Sequence, residues 1–314
     1  MMPDVDLLAA GIVAGERVAL SKALSLAEQG GTAYHLLRKA LSDQIVGRVV
    51  FGVTGPPGVG KSSLVNALLH EWRQDGRGIA VIAVDPSSPI SGGALLGDRV
   101  RMAAALDDDG VYVRSLSSAG HVGGLAPAAV RLIDVFDAAG FDHILIETVG
   151  AGQSEIDIAA VADIKIVVSA PGLGDGIQAM KSGLLEIADI LVVNKSDQPG
   201  ADATAEQLRN AVGLRSPEGN EAPVILTSAA RRDGIASLVD ELDQMAGRLD
   251  QDAQQRQKRR ALFLIEQEAK NLLRTCFSDT ELTAEKEGIV IALAAGEIAP
   301  RDAARRFLQE ALET

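Results

Sequence analysis

Apolar residues recur along this chain in two rhythms, and the change from one to the other marks its organisation. Leu7, Leu8, Ile12 and Val13, then Val18, Leu20, Leu24 and Leu26, fall at roughly helical spacings until Gly30-Gly31 interrupts the run. A further helix is predicted from Tyr34 to Ile45. Short, nearly unbroken apolar runs then take over: Arg48–Val53, Ile79–Val84, Val111–Leu116, His143–Glu147, Ile164–Ser169, Ile190–Val193 and Val224–Thr227. Such runs read as strands buried on both faces, and the helical stretches between most of them predict an α/β fold: a mostly parallel sheet with helices on both sides. Beyond Arg248 the pattern changes again. Asp252 to Phe277 reads as a long charged helix with Leu262, Ile265, Leu272 and Leu273 on an apolar stripe, followed by helices over Ala284–Ala295 and, after Pro300, Arg301–Leu312. The expected division is a helical extension over 1–46, an α/β domain over 47–248 and a helical arm over 249–314.

Composition narrows the function classes. With 314 residues, 47% of them apolar, and 32 glycines, there is ample sequence for a full core and many tight strand–helix turns. A formal charge of −13 argues against a nucleic-acid surface, which is normally basic. The basic run Lys258-Arg259-Arg260 has Asp250, Asp252, Glu266 and Glu268 as neighbours, so it is expected to be the solvated face of a helix. The single cysteine, Cys276, rules out an intramolecular disulfide framework and suits a reducing compartment. The first residues lack a basic segment leading into a long apolar run, and no apolar run approaches the ~20 residues of a membrane span. A cytoplasmic protein without membrane partners is expected. Arg215 to Ala222 is polar and turn-rich, as a surface loop would be.

The most specific chemistry is Gly55-Pro56-Pro57-Gly58-Val59-Gly60-Lys61-Ser62-Ser63, which fits G-x-x-x-x-G-K-[ST] between a predicted strand and a helix read from Ser63 to Glu71. Glycines let backbone N–H groups turn toward phosphate oxygens, and the helix N-terminus adds partial positive charge. Lys61 is the candidate for the β- and γ-phosphates and the Ser62 hydroxyl for Mg²⁺. The fold expectation sharpens accordingly to a P-loop NTPase of the Ras-like or SIMIBI kind.

Asn194-Lys195-Ser196-Asp197 follows the strand Ile190–Val193 and suggests which base is read. Guanine presents a ring N–H and an amino group on one edge, and a fixed carboxylate at Asp197 accepts both; adenine lacks that donor pair and would leave the carboxylate desolvated. Lys195 would pack its stem over the base and Asn194 would tie this loop to the phosphate loop. Thr227-Ser228-Ala229, after the last strand, stands where a backbone contact to the guanine carbonyl is expected, so Ser228 and Ala229 join the candidate site.

Glu147-Thr148-Val149-Gly150 ends the strand His143–Glu147 where G proteins usually have Asp-x-x-Gly, placing Glu147 near Mg²⁺ and the Gly150 N–H near the γ-phosphate. Asp85, ending another strand, and Asp98 are further candidate carboxylates for Mg²⁺. Ala151 occupies the place where many Ras-like GTPases carry a water-orienting glutamine, and Gln153 lies two residues further on. Slow intrinsic GTP hydrolysis, stimulated by a partner, is expected. His143 begins a strand and reads as structural; His121 lies in a glycine-rich loop that could approach the nucleotide or a partner.

Five segments carry a family resemblance: 55–63, Val-Asp-Pro-Ser-Ser-Pro (84–89), Gly-Asp-Arg-Val-Arg-Met (97–102), Ile-Glu-Thr-Val-Gly-Ala-Gly-Gln-Ser-Glu (146–155) and Asn-Lys-Ser-Asp (194–197). In this order the chain resembles the MeaB/ArgK-type P-loop GTPases, chaperones of adenosylcobalamin-dependent acyl-CoA mutases such as methylmalonyl-CoA mutase. The resemblance covers nearly the whole chain. It implies a GTP/GDP- and Mg²⁺-dependent protein that gates cofactor delivery to the mutase and protects it, and a homodimer built through the C-terminal helices. It further implies that Ser62, Asp85, Asp98 and Glu147 surround Mg²⁺ or its switch, and that Gln178 and Lys181 relay the nucleotide state, Lys181 activating hydrolysis when the mutase docks. One departure is Ile90-Ser91 where the family often has Phe-Thr, so the client could be a sister mutase acting on isobutyryl-, 2-hydroxyisobutyryl- or ethylmalonyl-CoA. The nickel- and cobalt-insertion GTPases have a related phosphate loop and a related Glu-bearing motif. A metallochaperone of that kind would need Cys or His clusters, and Cys276 with His35, His70, His121 and His143 shows no ligand spacing. A P-loop kinase or ATPase is the third reading, and Asp197 speaks against it.

Overall fold

The computed structural model describes residues 4–85, 108–117, 125–148, 161–172, 183–213, 222–278 and 284–313. Strands β1 (Val50–Thr54), β2 (Ile79–Asp85), β3 (Val111–Ser117), β4 (His143–Thr148), β5 (Ile164–Ser169), β6 (Ile190–Val193) and β7 (Val224–Leu226) form a sheet in the order β3-β2-β4-β1-β5-β6-β7. Every neighbouring pair runs parallel. The expected parallel α/β sheet is therefore present; the central strands β1, β4, β5 and β6 are buried on both faces, and the edge strands β3 and β7 only in part.

The helices are α1 (Val5–Val13), α2 (Arg17–Gln29), α3 (Gly31–Ala40), α4 (Lys61–Gln74), α5 (Leu125–Ala138), α6 (Leu184–Ile187), α7 (Ala201–Gly213), α8 (Ile235–Leu249), α9 (Ala253–Ser278), α10 (Ala284–Ala294) and α11 (Pro300–Glu313). On one face of the sheet Phe51, Val53 and Ile166 pack with Leu64, Leu68 and Trp72 of α4 and Ile235, Leu238 and Leu242 of α8. On the other, Val167, Leu191 and Val193 meet Ala205, Leu208 and Val212 of α7. Each such side chain contributes about 1.5–3 kcal/mol when fully buried.

The N-terminal helices add to this second side by packing α2 against α5. Arg131 of α5 donates to the Ala27 carbonyl (2.5 Å), and the Tyr34 hydroxyl donates to Asp134 (3.0 Å), whose charge Arg38 balances at 2.6 Å. Their apolar rhythm suggested a continuous run up to Gly30, yet the chain breaks earlier. Gly15 adopts a left-handed backbone (φ 78°) between α1 and α2. The helix expected over Tyr34–Ile45 is α3, begun at Gly31 and succeeded by a 3₁₀ turn over Ser42–Gln44.

The N-terminal edge of the sheet corrects one expectation. Arg260 is only 4% exposed rather than solvated, because it meets Asp163 Oδ2 at 2.6 Å; Arg259 also contacts that carboxylate. Asp163, its side chain 1% exposed, further accepts the Val50 N–H (2.8 Å), and Arg256 donates to the Gly47 carbonyl at 2.7 and 3.0 Å. The start of α9 is thus fastened to the residues that lead into β1.

The chain divides into two compact units, Met1–Ala261 and Leu262–Thr314. Within the second, α10 packs on α11, with the Lys286 ammonium 5.3 Å from the Phe307 ring centre. Leu262 and Ile265 are each 66% exposed, and Leu272, Leu273, Val290 and Ile291 are exposed as well. The expected apolar stripe is therefore open to solvent. Among the described residues no helix is long and apolar enough to cross a membrane.

Candidate functional site

In a parallel sheet the loops that follow the strands gather at one edge, and ligands bind outside it where the strand order reverses. Here β1 lies between β4 and β5, and the loop leaving it reaches α4 through Gly55, Pro56, Pro57, Gly58, Val59 and Gly60. Two glycines are required sterically. A Cβ on Gly55 (φ 143°) would lie 2.2 Å from the Val168 carbonyl oxygen, and one on Gly60 (φ 92°) would lie 2.5 Å from the Asn194 amide nitrogen. Gly58 faces open space: nothing lies within 4 Å of the position its Cβ would take. Gly60 also supplies no capping side chain to α4, so the first-turn N–H groups, including those of Lys61, Ser62 and Ser63, meet no cap from it.

Lys61 is 6% exposed and its ammonium turns back onto the loop, donating to the Gly55 carbonyl at 2.7 Å and the Pro56 carbonyl at 3.1 Å. A buried ammonium, three positive-φ glycines and an uncapped helix N-terminus are a donor set that fits a polyphosphate.

Asn194 joins three loops. Its amide donates to the carbonyls of Val59 (3.0 Å) and Gly60 (3.4 Å), and its oxygen accepts the Ala229 N–H (3.1 Å) and the Thr227 hydroxyl (3.4 Å). At 2% exposure these bonds lie away from water, where losing one costs most. Lys195 takes a left-handed backbone (φ 59°) and donates to the Gly58 carbonyl at 2.8 Å, crossing the phosphate loop from outside. Asp197 is oriented by Ser228, whose hydroxyl donates to its Oδ1 at 2.6 Å. That bond first, and the nearby Arg231 and Lys195 charges after it, hold the Asp197 carboxyl below the usual range, so it stays an acceptor.

At the end of β4, Glu147 is 4% exposed and accepts the Ser62 hydroxyl on Oε1 at 2.6 Å. Two hard oxygens from the first turn of α4 and the end of β4 are thereby in contact, a pair that fits an octahedral cation completed by phosphate and water. The longer arm of Glu, compared with the usual Asp, spans this gap. Among the described residues no three His, Cys, Asp or Glu side chains cluster as a metal site of their own.

Residues 20–281 match the family described as methylmalonyl-CoA mutase-associated GTPase MeaB. The chain belongs to the MeaB family of GTPases. A Pyrococcus abyssi relative is 38% identical over 98% of this chain and 96% of its own. GTPase ArgK of Escherichia coli is 40% identical over 58% of this chain and 56% of its own. A solved structure described as a LAO/AO transport system kinase covers 100% of both chains at a TM-score of 0.74 and 24% identity, which shows a shared fold.

Against this MeaB-family background the remaining candidates sort clearly. Asp85 ends β2, opposite Ser117 of β3 and one residue beyond the pairing of Val84 with Thr148. Asp98, His121, Gly150, Gln153, Gln178 and Lys181 lie outside the described residues. His143 is structural: its ring centre stands 4.5 Å from that of Trp72 and 5.5 Å from that of Phe51, and burial pushes its pKa down to about 4.

Three contributors went unread in the sequence. The expectation for the segment after β7 was a backbone contact to the guanine carbonyl, and there the Ala229 N–H is turned to Asn194; the Ser228 hydroxyl, which holds Asp197, was not foreseen. Thr227 supports Asn194 from below, and Arg231 stands beside Asp197. A Thr-Ser pair directly after a strand was the available signal, since short hydroxyls there reach only the neighbouring loop.

Proposed function

We propose that this MeaB-family GTPase is a GTP-operated switch that gates adenosylcobalamin delivery to a B12-dependent acyl-CoA mutase and protects that mutase. The observation that carries the nucleotide half is the Asn194 amide, which ties the phosphate loop to the loop behind Asp197 and so lets base and phosphates be felt as one. The family description supports the mutase half.

In this reading the Gly55–Ser63 segment wraps the phosphates and Lys61 leaves the Gly55 and Pro56 carbonyls for phosphate oxygens. Asp197, held by Ser228, accepts the two N–H groups of guanine, while Lys195 covers the base. Ser62 and Glu147, joined by Asp85 and Asp98, would hold Mg²⁺, which when bound neutralises charge on the β- and γ-phosphates. Ala151 supplies no water-orienting amide, so turnover is slow until the partner docks. Gly150, Gln153, Gln178 and Lys181 are the proposed switch residues, with Lys181 as the activator. The exposed Leu262, Ile265, Leu272 and Leu273 support a homodimer built through the C-terminal helices.

The test is the GTP hydrolysis rate of the full chain, alone and with each acyl-CoA mutase of the same organism. Strong stimulation by one mutase, abolished by Lys61→Ala and reduced by Lys181→Ala, is expected. Stimulation by none of them would sink the mutase assignment and leave a GTPase with another partner.

A further inference from the structure

Asp197 faces a second donor besides Ser228. The turn after β7 is closed by an antiparallel bridge between Ser228 and Asp233, with the Ser228 N–H donating to the Asp233 carbonyl at 2.9 Å. Inside it the Arg231 N–H donates to the Ser228 carbonyl (3.1 Å) and approaches the Ser228 hydroxyl oxygen (3.4 Å). The backbone of Arg231 is therefore fixed to the residue that orients Asp197. Its neighbour Arg232 takes a left-handed backbone (φ 61°) and places its guanidinium against the His70 ring, 3.0 Å from Nε2. Arg231 points the other way, with Nε 3.8 Å from Asp197 Oδ2. Lys195 is engaged elsewhere, on the Gly58 carbonyl.

Ser228 thus takes Oδ1 and Arg231 faces Oδ2. The guanine edge is a flat pair of N–H donors, a ring N–H beside an exocyclic amino group, and a guanidinium edge is also a flat pair of N–H donors. Both satisfy the same carboxylate edge, and both cannot do so together. We propose that Arg231 is a built-in competitor for guanine: it occupies Asp197 when the base is absent and must swing away before the base can dock. This rests on the reading of Asp197 as the guanine acceptor. Arg231 is then a positioning residue acting through Asp197. Its side chain, 65% exposed and 3.8 Å away, has room to leave, so the competition is weak and sets how readily nucleotide is captured.

The experiment follows association and dissociation of fluorescent GDP on the full chain, as wild type, Arg231→Ala and Arg231→Lys. Arg231→Ala is expected to bind GDP roughly two- to fivefold more tightly, the range of an exposed ion pair, through faster association with unchanged dissociation. Arg231→Lys, which keeps the charge but loses the planar donor pair, falls between them. The gain shrinks as salt screens the Arg231–Asp197 pair in the wild type.

Xanthine carries a carbonyl where guanine has its amino group, so Asp197→Asn is expected to shift preference from GDP to xanthosine diphosphate. In that background Arg231→Ala should change xanthosine diphosphate binding by nothing. Unchanged or weaker GDP binding in Arg231→Ala, or an equal gain in the Asp197→Asn background, overturns the competitor role. Weaker binding through faster dissociation would show that Arg231 instead holds the bound base. If Asp197→Asn leaves the nucleotide preference unaltered, the reading of Asp197 itself fails, and the competitor role fails with it.

Discussion

The two edges of the sheet are closed by opposite chemistry. At the N-terminal edge charged side chains are matched and shielded: Asp163 takes the Val50 N–H and two arginines, and Asp137 accepts the N–H groups of Val46, Gly47 and Arg48. Burial holds the Asp137 carboxyl above its usual range, and those three N–H bonds offset only part of that rise. At the C-terminal edge the polar groups instead bond to one another and to the phosphate loop. Lys61 donates to two loop carbonyls, Ser62 to Glu147, and Lys195 to Gly58. These bonds are ones that a ligand with stronger acceptors can replace. At the closed edge the partners are buried and out of a ligand's reach, as Asp163 is; at the open edge they lie on and beside the phosphate loop, where a ligand can take their place.

Two substitutions should separate the edges. Asp163→Ala leaves Arg260 buried without its carboxylate and is expected to cost about 3–5 kcal/mol of unfolding free energy by urea denaturation. GDP affinity of the folded protein should stay within about twofold, because no ligand-facing group moves. A parallel collapse of affinity and stability would show that the edges are not independent. Lys61→Ala should do the converse. GTP turnover is expected to fall about a hundredfold or more, as when one preorganised donor to a developing charge is removed. Its unfolding free energy should change by no more than about 1.5–3 kcal/mol, the range for hydrogen bonds made by a charged group.

The same contrast explains what the sequence could disclose. The seven strands were legible because their runs are nearly all apolar, with Arg114, Ser115 and Lys165 as exceptions, and strand–loop motifs in a parallel sheet must share an edge. Asn194 and Asp197 were legible for that reason. The burial of Arg256 and Arg260 was not: in sequence they stand among acids and glutamines, and their partners Gly47 and Asp163 lie far upstream. Charge composition describes near neighbours, whereas burial is decided by distant ones. The break at Gly15 was hidden by an apolar rhythm that continues across it, and the Ser228 hydroxyl by attention to its backbone.

His143 tests the closed edge by pH. It lies buried against Trp72 and Phe51, and Arg77 Nη1 stands 2.9 Å from its Nε2, so the neutral ring is favoured and its pKa falls to about 4. The unfolded chain, with an ordinary histidine value of 6.5, binds the proton first as pH falls. Stability from this group is therefore full above about pH 6.5 and is lost progressively down to about pH 4, for a total of about 1–3 kcal/mol. Urea midpoints between pH 4 and 7 should show that slope, and His143→Phe should flatten it. An unchanged slope in His143→Phe would assign the effect to the carboxylates.

The smallest effect belongs to Ser228→Ala, and it probes the open edge where a single hydroxyl shapes the recognition group. The substitution removes the 2.6 Å bond to Asp197 Oδ1 while leaving the Ser228–Asp233 backbone bridge, so the turn should persist. GDP affinity should fall only several-fold, because the carboxylate keeps its charge and loses only its fixed direction. A pH profile separates direction from charge. Ser228 is the first cause of the lowered Asp197 carboxyl, so the wild type should keep its guanine preference further into acid than Ser228→Ala does. If both proteins lose GDP at the same pH, the hydroxyl steers the carboxylate without setting its proton affinity. If neither affinity nor profile moves, the open edge is more rigid than its loop-to-loop bonds imply, and the contrast between the two edges would have to be redrawn around Asn194 alone.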